Sequence, residues 1–130
     1  TSNPTSISQV AAEAALNGDQ ACIEPMLNAF KERNIFVTDR INAIPGISCL
    51  LSEGAFYTFA DVRQAIDTLH RKSEIKDCSD ISFSEYLLEK AGVAVVPGLA
   101  FGSEGYVRMS FATSMDNLKN ALDRIKKILA

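Results

Sequence analysis

Apolar residues recur at intervals of three and four in five stretches of the chain, which is the pattern of helices with one buried face. The first stripe is made of small residues, so we expect its helix to bury only a narrow face. In the second stripe Pro25 falls either within the first turns or at a kink. Ser82-x-x-Glu85 and Thr113-x-x-Asp116 are capping boxes that open the last two helices, and Gly92 suits a left-handed C-terminal cap. The spacing predicts helices over residues 4–17, 23–41, 61–69, 82–91 and 113–130.

Between these helices the period changes to the one expected of strands. The runs 47–51 and 55–59 flank Ser52-Glu53-Gly54, which predicts a hairpin. Residues 93–96 form a short apolar strand that Pro97-Gly98 ends. In the segment 106–112, Val107, Met109 and Phe111 alternate with Tyr106, Arg108 and Ser110. The order of elements predicts an α+β fold, with helices packed on one face of a small, mostly antiparallel sheet.

Composition limits the functions that the chain can have. The 130 residues are 47% hydrophobic, which suits one domain, and the net charge is -3 with 13 basic and 16 acidic residues. The charges are mixed along the chain and form no basic stripe, so we expect no nucleic-acid partner. The longest apolar run, around residues 92–101, contains Pro-Gly and is too short to span a membrane. The N-terminal residues do not resemble a signal peptide, so we expect a cytoplasmic protein.

Most residues that could carry chemistry are isolated. The three cysteines lie far apart and form no zinc motif, which predicts reduced, packed thiols and no metal site. His70 is the only histidine, and no Ser/His/Asp set can be built around it. Gly98, Gly102 and Gly105 lack the lysine and the spacing of a phosphate-binding loop. These residues therefore give little support for a catalytic site of their own.

Arg108 is the one charged residue whose position suggests binding. Its alternation with apolar neighbours places it on the polar face of a strand. A solvated surface charge is one interpretation. The other is capture of a carboxylate by the guanidinium fork, because glycines and Phe101 precede this strand and small residues permit close approach of a ligand.

Four motifs, in order, resemble the C-terminal part of class I aminotransferases, the pyridoxal-phosphate enzymes of the aspartate aminotransferase type. They are SNPTS at 2–6, EGAFYTF at 53–59, GVAVVPGLAFG at 92–102 and YVRMSFATS at 106–114. The resemblance implies a small domain that closes over the active site of a homodimer. It assigns Arg108 to the α-carboxylate of the substrate, and it places Ser2 and Asn3 near the neighbouring subunit's cofactor. Phe56, Tyr57 and Phe101 are expected to line the cleft, although core packing would explain each of them equally well.

The resemblance also implies that essential groups lie outside this chain. None of the seven lysines stands in a sequence like the family's Schiff-base motif. We therefore expect residues 1–130 to be a small domain without its catalytic large domain, inactive alone, whose parent enzyme exchanges amino groups between amino acids and 2-oxo acids. Overall similarity favours aspartate as the amino acid. The alternative is a non-catalytic α+β module that binds small carboxylates or a regulatory partner.

Overall fold

A four-stranded antiparallel sheet lies at the centre of the fold. The computed structural model describes residues 2–130. The strands lie side by side in the order β1-β2-β4-β3, so that β4 is hydrogen-bonded on both of its edges. They are β1 (Ser48–Cys49), β2 (Tyr57–Asp61), β3 (Val96–Pro97) and β4 (Tyr106–Ser110). The predicted hairpin is present, since β1 pairs with β2, and the residues from Leu50 to Phe56 form its loop.

Helices supply the rest of the regular structure in the described residues. Gly92 ends the fourth helix with a φ of 60°, as the sequence predicts. The elements are α1 (Ser6–Asn17), α2 (Ile23–Asn42), α3 (Arg63–Arg71), α4 (Asp80–Tyr86) with a π-helical extension (Leu87–Ala91), a 3-10 turn (Gly98–Phe101) and α5 (Met115–Leu129). The α+β class is therefore confirmed, as is the antiparallel sheet.

One face of the sheet and four helices, α2 to α5, form the core. Thr58 and Ala60 of β2 and Val107 and Met109 of β4 point to this face and are buried. The helical stripes pack against them, because residues spaced by three and four lie on one side of a helix. The most deeply buried of these side chains are Val37, Ile41, Phe83, Leu122 and Ile125. Each large apolar side chain buried in this way contributes about 1.5–3 kcal/mol to stability.

The prediction that α1 buries a narrow face is wrong for this structure. No residue of α1 is buried, and Ile7 and Leu16 are 81% and 80% exposed. The helix itself is as predicted, and its Thr5 cap accepts a hydrogen bond from the Ser8 N–H. The apolar residues of α1 are exposed because no other element within residues 2–130 packs against this helix. Pro25 lies in the first turn of α2, where the missing N–H costs no hydrogen bond.

Both predicted capping boxes are displaced from the true helix starts. Ser79 rather than Ser82 caps α4, and its Oγ accepts the Ser82 N–H at 3.1 Å. Ser114 rather than Thr113 caps α5, and its Oγ accepts the Asn117 N–H at 3.2 Å. In each case an eligible hydroxyl lies within a few residues of the predicted one, and the path of the preceding chain decides which of them caps the helix.

The cysteines only partly match the prediction. All three thiols are free. Cys49 is buried, as predicted, and this burial raises the pKa of its thiol. Cys22 and Cys78 are exposed, so the expectation that they are packed is wrong. Both lie outside the helical stripes that form the core, at the start of α2 and in the loop before α4.

Candidate functional site

Arg108 lies in the middle of the sheet, on the face opposite the core. Its partners across the strands are Phe59 of β2 and Val96 of β3. Val107 and Met109 are buried on the other face, so the alternation predicted from the sequence is observed. Because β4 is paired on both edges, the backbone that carries Arg108 is held firmly in place.

Two aromatic rings lie against the guanidinium group of Arg108. Its Cζ is 5.1 Å from the ring centre of Tyr57 and 4.6 Å from that of Phe101. These are cation–π distances, which leave the N–H donors at the edge of the guanidinium available. In the described part of the chain no side-chain hydrogen bond or ion pair involves Arg108. The half-buried cation is therefore free to bind an anion.

Further rings extend this surface along β2 and β4. Phe59 stacks on Tyr106, with ring centres 5.2 Å apart and planes 6° apart, and its edge meets Phe101 at 6.1 Å. We call Tyr57, Phe59, Phe101, Tyr106 and Arg108 together the Arg108 face. Tyr57, Phe59 and Phe101 are 37%, 37% and 47% exposed. Exposed apolar patches rimmed by polar groups are typical of binding surfaces, which makes the Arg108 face the candidate site.

A second arginine on the same side of the sheet is already paired. Arg63 Nε donates to both carboxylate oxygens of Asp61, at 3.0 and 3.1 Å. This hydrogen bonding lowers the pKa of Asp61 and raises that of Arg63. The Arg63 guanidinium also lies 5.6 Å from the ring centre of Tyr106. Of the two arginines near this face, only Arg108 lacks a carboxylate.

In the glycine-rich loop, the chain itself fills the space beside Gly98. A Cβ on Gly98 would overlap the Ser103 carbonyl oxygen and lie 2.8 Å from Tyr106 Cβ. Gly102 and Gly105 have positive φ values of 75° and 79°, which favour glycine. The expectation that these glycines permit close ligand approach is therefore not supported at Gly98, because the chain itself fills that space.

A buried carboxyl group holds this loop. Asp80, at the start of α4, is 1% exposed, and its Oδ2 accepts the Leu99 N–H at 2.7 Å. Leu99 lies in the 3-10 turn that ends in Phe101. Asp80 could not be recognised from the sequence. Acidic residues are common at helix starts, and the sequence does not show that this one accepts a hydrogen bond from the distant Leu99 N–H.

The structure brings together some of the residues predicted for the site. Tyr57 and Phe101 contact Arg108, and Phe56 meets Tyr57 with ring centres 5.5 Å apart. Phe56 also packs towards Phe30 of α2. Ser2 and Asn3 lie in the exposed segment before α1, and no hydrogen bond among the described residues joins them to the Arg108 face.

Two aromatic members of the face are not among the site residues predicted from the sequence. Alternation along the strand already places Tyr106 on the same side as Arg108, two residues before it. Phe59 follows Tyr57 by two residues, so the same alternation in β2 places these two rings on one face. The register of the two strands, which brings Phe59 opposite Arg108, is visible only in the structure.

Other parts of the described surface are weaker candidates for a binding site than the Arg108 face. A groove lies at the other end of β4, between residues 92–94 and α5, and does not include Arg108. Its charged residues Asp123, Arg124 and Lys127 have mixed signs. Residues 2–130 contain no cluster of three potential metal ligands. None of their helices is both long and apolar enough to cross a bilayer.

Nearly the whole chain matches a known protein family. The model of the aminotransferase class I and II family matches residues 1–125. The chain belongs to this family. It is 64% identical, over all of its 130 residues, to the aspartate/prephenate aminotransferase of Nitrosomonas europaea, of which it covers 33%. It is 46% identical over 128 residues to an aspartate aminotransferase of Rhizobium meliloti, of which it covers 30%.

Solved structures of the family have the same fold. The crystal structure of an aspartate aminotransferase from Rhizobium meliloti superposes with a TM-score of 0.87 at 41% identity, over 99% of this chain and 32% of that one. An alanine aminotransferase from Pyrococcus furiosus gives a TM-score of 0.84 at 31% identity, over 97% and 30%. This member of the family thus spans about a third of the length of the relatives it matches.

Proposed function

We propose that this chain is the C-terminal small domain of a pyridoxal-phosphate-dependent aminotransferase, and that Arg108 binds the α-carboxylate of its substrates. One observation carries the assignment of Arg108: its guanidinium lies between the rings of Tyr57 and Phe101 with no carboxylate partner in residues 2–130. Membership of the aminotransferase family favours this function over an unrelated binding module.

Arg108 would orient the substrate rather than react with it. A carboxylate accepts two parallel hydrogen bonds from a guanidinium fork, which fixes both its position and its plane. An amino acid and the corresponding 2-oxo acid share this carboxylate next to the carbon at which the amino group is exchanged. One arginine can therefore hold both partners of the exchange in the same orientation, and the surrounding rings would help to exclude water.

The cofactor must be held by other residues. All seven lysines of this chain are exposed, and none lies on β2, β3 or β4. We therefore assign the lysine that binds pyridoxal phosphate to a part of the enzyme outside this chain, and we expect this chain to be inactive alone. We assign cofactor binding to a large domain, and we place the complete enzyme in the cytoplasm as a homodimer, with Ser2 and Asn3 near the neighbouring subunit's cofactor.

Aspartate is the amino acid that the names of the relatives favour. The α-carboxylate is common to all α-amino acids, so Arg108 does not distinguish their side chains. Phe56, Tyr57 and Phe101 would line the cleft beside it. We assign the choice of side chain mainly to groups outside this chain.

The test is a chimera in which these 130 residues replace the matching third of the Nitrosomonas europaea relative. We expect activity with aspartate and 2-oxoglutarate, and a loss of about 10- to 150-fold in kcat/KM for Arg108→Ala, since a charge-assisted hydrogen bond is worth about 1.5–3 kcal/mol. Arg108→Lys should recover only part of this loss, because an ammonium group keeps the charge without the fork.

Arg63→Ala is the matched control. It removes a positive charge from the same side of the sheet, but from a guanidinium that Asp61 already occupies. We expect its kcat/KM to change far less than that of Arg108→Ala. Equal losses in the two variants would show a general effect of charge, and an unchanged kcat/KM in Arg108→Ala would remove the proposed role.

A further inference from the structure

The buried carboxyl group of Asp80 joins the start of α4 to a residue of the 3-10 turn 19 positions later in the chain. Its Oδ2 accepts the Leu99 N–H at 2.7 Å, and the side chain is almost fully removed from solvent. Among the side-chain hydrogen bonds of the described residues, it is the one that joins α4 to the 3-10 turn. Burial of a carboxyl group is costly unless it is hydrogen-bonded, so this contact is a strong constraint on where the turn lies.

The position of the turn determines the position of the Phe101 ring. Phe101 is 47% exposed, so packing around the ring holds it only in part. Within the loop, the Ser103 N–H donates to the Gly98 carbonyl and the Gly102 N–H to the Leu99 carbonyl, both at 3.0 Å. These bonds make the turn a unit, and Asp80 ties that unit to α4.

The Phe101 ring in turn lies against Arg108. Its centre is 4.6 Å from the guanidinium carbon, closer than that of Tyr57 at 5.1 Å. A shift of the turn would move this ring and free the guanidinium to adopt other rotamers. A loss of order at the arginine weakens carboxylate binding, because the fork must then be fixed at the expense of side-chain entropy.

We propose that Asp80 is a positioning residue for substrate binding: through the Leu99 N–H it fixes the turn whose Phe101 holds the Arg108 guanidinium. This inference rests on the proposed function of Arg108. It assigns to a buried residue outside the Arg108 face a role in affinity for substrate as well as in stability.

The first experiment measures the link directly in the 130-residue chain. In Asp80→Ala we expect the Leu99 amide to exchange with solvent at least about tenfold faster, while the Met109 amide in β4 keeps its protection. The Arg108 Nε–Hε resonance should shift as well, because the nearby ring moves. Asp80→Asn keeps an oxygen acceptor without the charge, so it should give intermediate values.

Ser84→Ala is the matched control for loss of a hydrogen bond in the same helix. The Ser84 Oγ–H donates to the Asp80 carbonyl at 2.7 Å, and among the described residues Ser84 makes no side-chain hydrogen bond to the turn. We expect it to lower stability without changing Leu99 exchange or the Arg108 resonance. If Asp80→Ala does not fold, Asp80→Asn decides the matter, and an unchanged Leu99 exchange rate in that variant would overturn the inference.

The second experiment uses the chimera. Asp80→Ala should raise KM for aspartate about 2- to 5-fold with little change in kcat, because weaker binding of the carboxylate affects substrate and transition state alike. The same comparison is made in a chimera that already carries Phe101→Leu. There, Asp80→Ala should raise KM for aspartate by less than a further twofold, since the ring through which Asp80 acts is absent.

The outcomes separate this inference from the function on which it rests. An inactive chimera, or an Arg108→Ala chimera with unchanged kcat/KM, contradicts the proposed function, while the exchange measurements still test whether Asp80 holds the turn. A large effect of Arg108→Ala together with an unchanged KM in Asp80→Ala overturns the positioning role alone. Equal effects of Asp80→Ala with and without Phe101 would also overturn it.

Discussion

Replacement of Phe101 by leucine tests whether the rings of the Arg108 face hold the arginine in its binding position. Leucine keeps an apolar side chain in the turn but removes the π face that lies 4.6 Å from the guanidinium carbon. A cation–π contact is worth about 0.5–1 kcal/mol at an exposed site and about 2 kcal/mol when desolvated. Phe101 is 47% exposed and Arg108 is half-buried, so the lower range applies.

This free energy converts to a loss of about 2- to 5-fold in substrate affinity. The assay is steady-state kinetics of the chimera with aspartate, and we expect a higher KM at nearly constant kcat. The matched control is Phe36→Leu, which removes a ring that lies 5.5 Å from the Arg40 guanidinium, on the helical side of the sheet. The reasoning is refuted if both variants change KM equally, or if Phe101→Leu leaves KM unchanged.

Two further predictions concern the fold and its thiols. Gly98→Ala should destabilise the chain by about 1–3 kcal/mol in urea unfolding, because its Cβ overlaps the loop backbone, whereas Gly54→Ala, with no atom within 4 Å of its Cβ, should be neutral. A loss of stability at both glycines, or at neither, would contradict this account. A thiol reagent at pH 8 should label Cys22 and Cys78 quickly and Cys49 slowly, since burial shields the Cys49 thiol and raises its pKa; three equally fast thiols in the folded chain would contradict it.

Periodicity predicted the helices well, because it reports which side of each element is buried. The strands were predicted less well: the strand predicted at 93–96 is wrong except at Val96, since β3 is Val96–Pro97 and includes the proline expected to end it. The apolar stripe from Leu118 to Leu129 lies in α5, and the alternating residues around Arg108 form β4. The helix starts were less predictable. Thr113 and Ser114 can both cap a helix, and only the path of the loop before α5 selects Ser114. The exposure of α1 was not predictable either, since an apolar stripe shows that a helix can be covered and not what covers it.

The site was predictable in part, for a similar reason. A single strand placed Arg108 on the polar side of the sheet, and its aromatic neighbours in the chain could be named. The register that sets Phe59 opposite Arg108 depends on contacts between distant segments, as does the hydrogen bond from Leu99 to Asp80. Neither follows from spacing along one element. Gly98 was misinterpreted because a small residue beside a ligand and a small residue beside the protein's own backbone look the same in a sequence.

The contrast between Arg63 and Arg108 explains why the second is the better candidate for an anion site. Asp61 satisfies Arg63 from two residues away in the same chain segment. Arg108 is more deeply placed, between two rings that lower its hydration, and no side-chain hydrogen bond or ion pair in residues 2–130 involves its guanidinium. Partial desolvation of a cation is unfavourable, and the rings offset only part of that cost. A carboxylate that reaches the free edge of the guanidinium supplies the missing acceptors without a large rearrangement, because β4 and the Tyr57 and Phe101 rings already hold the group in place.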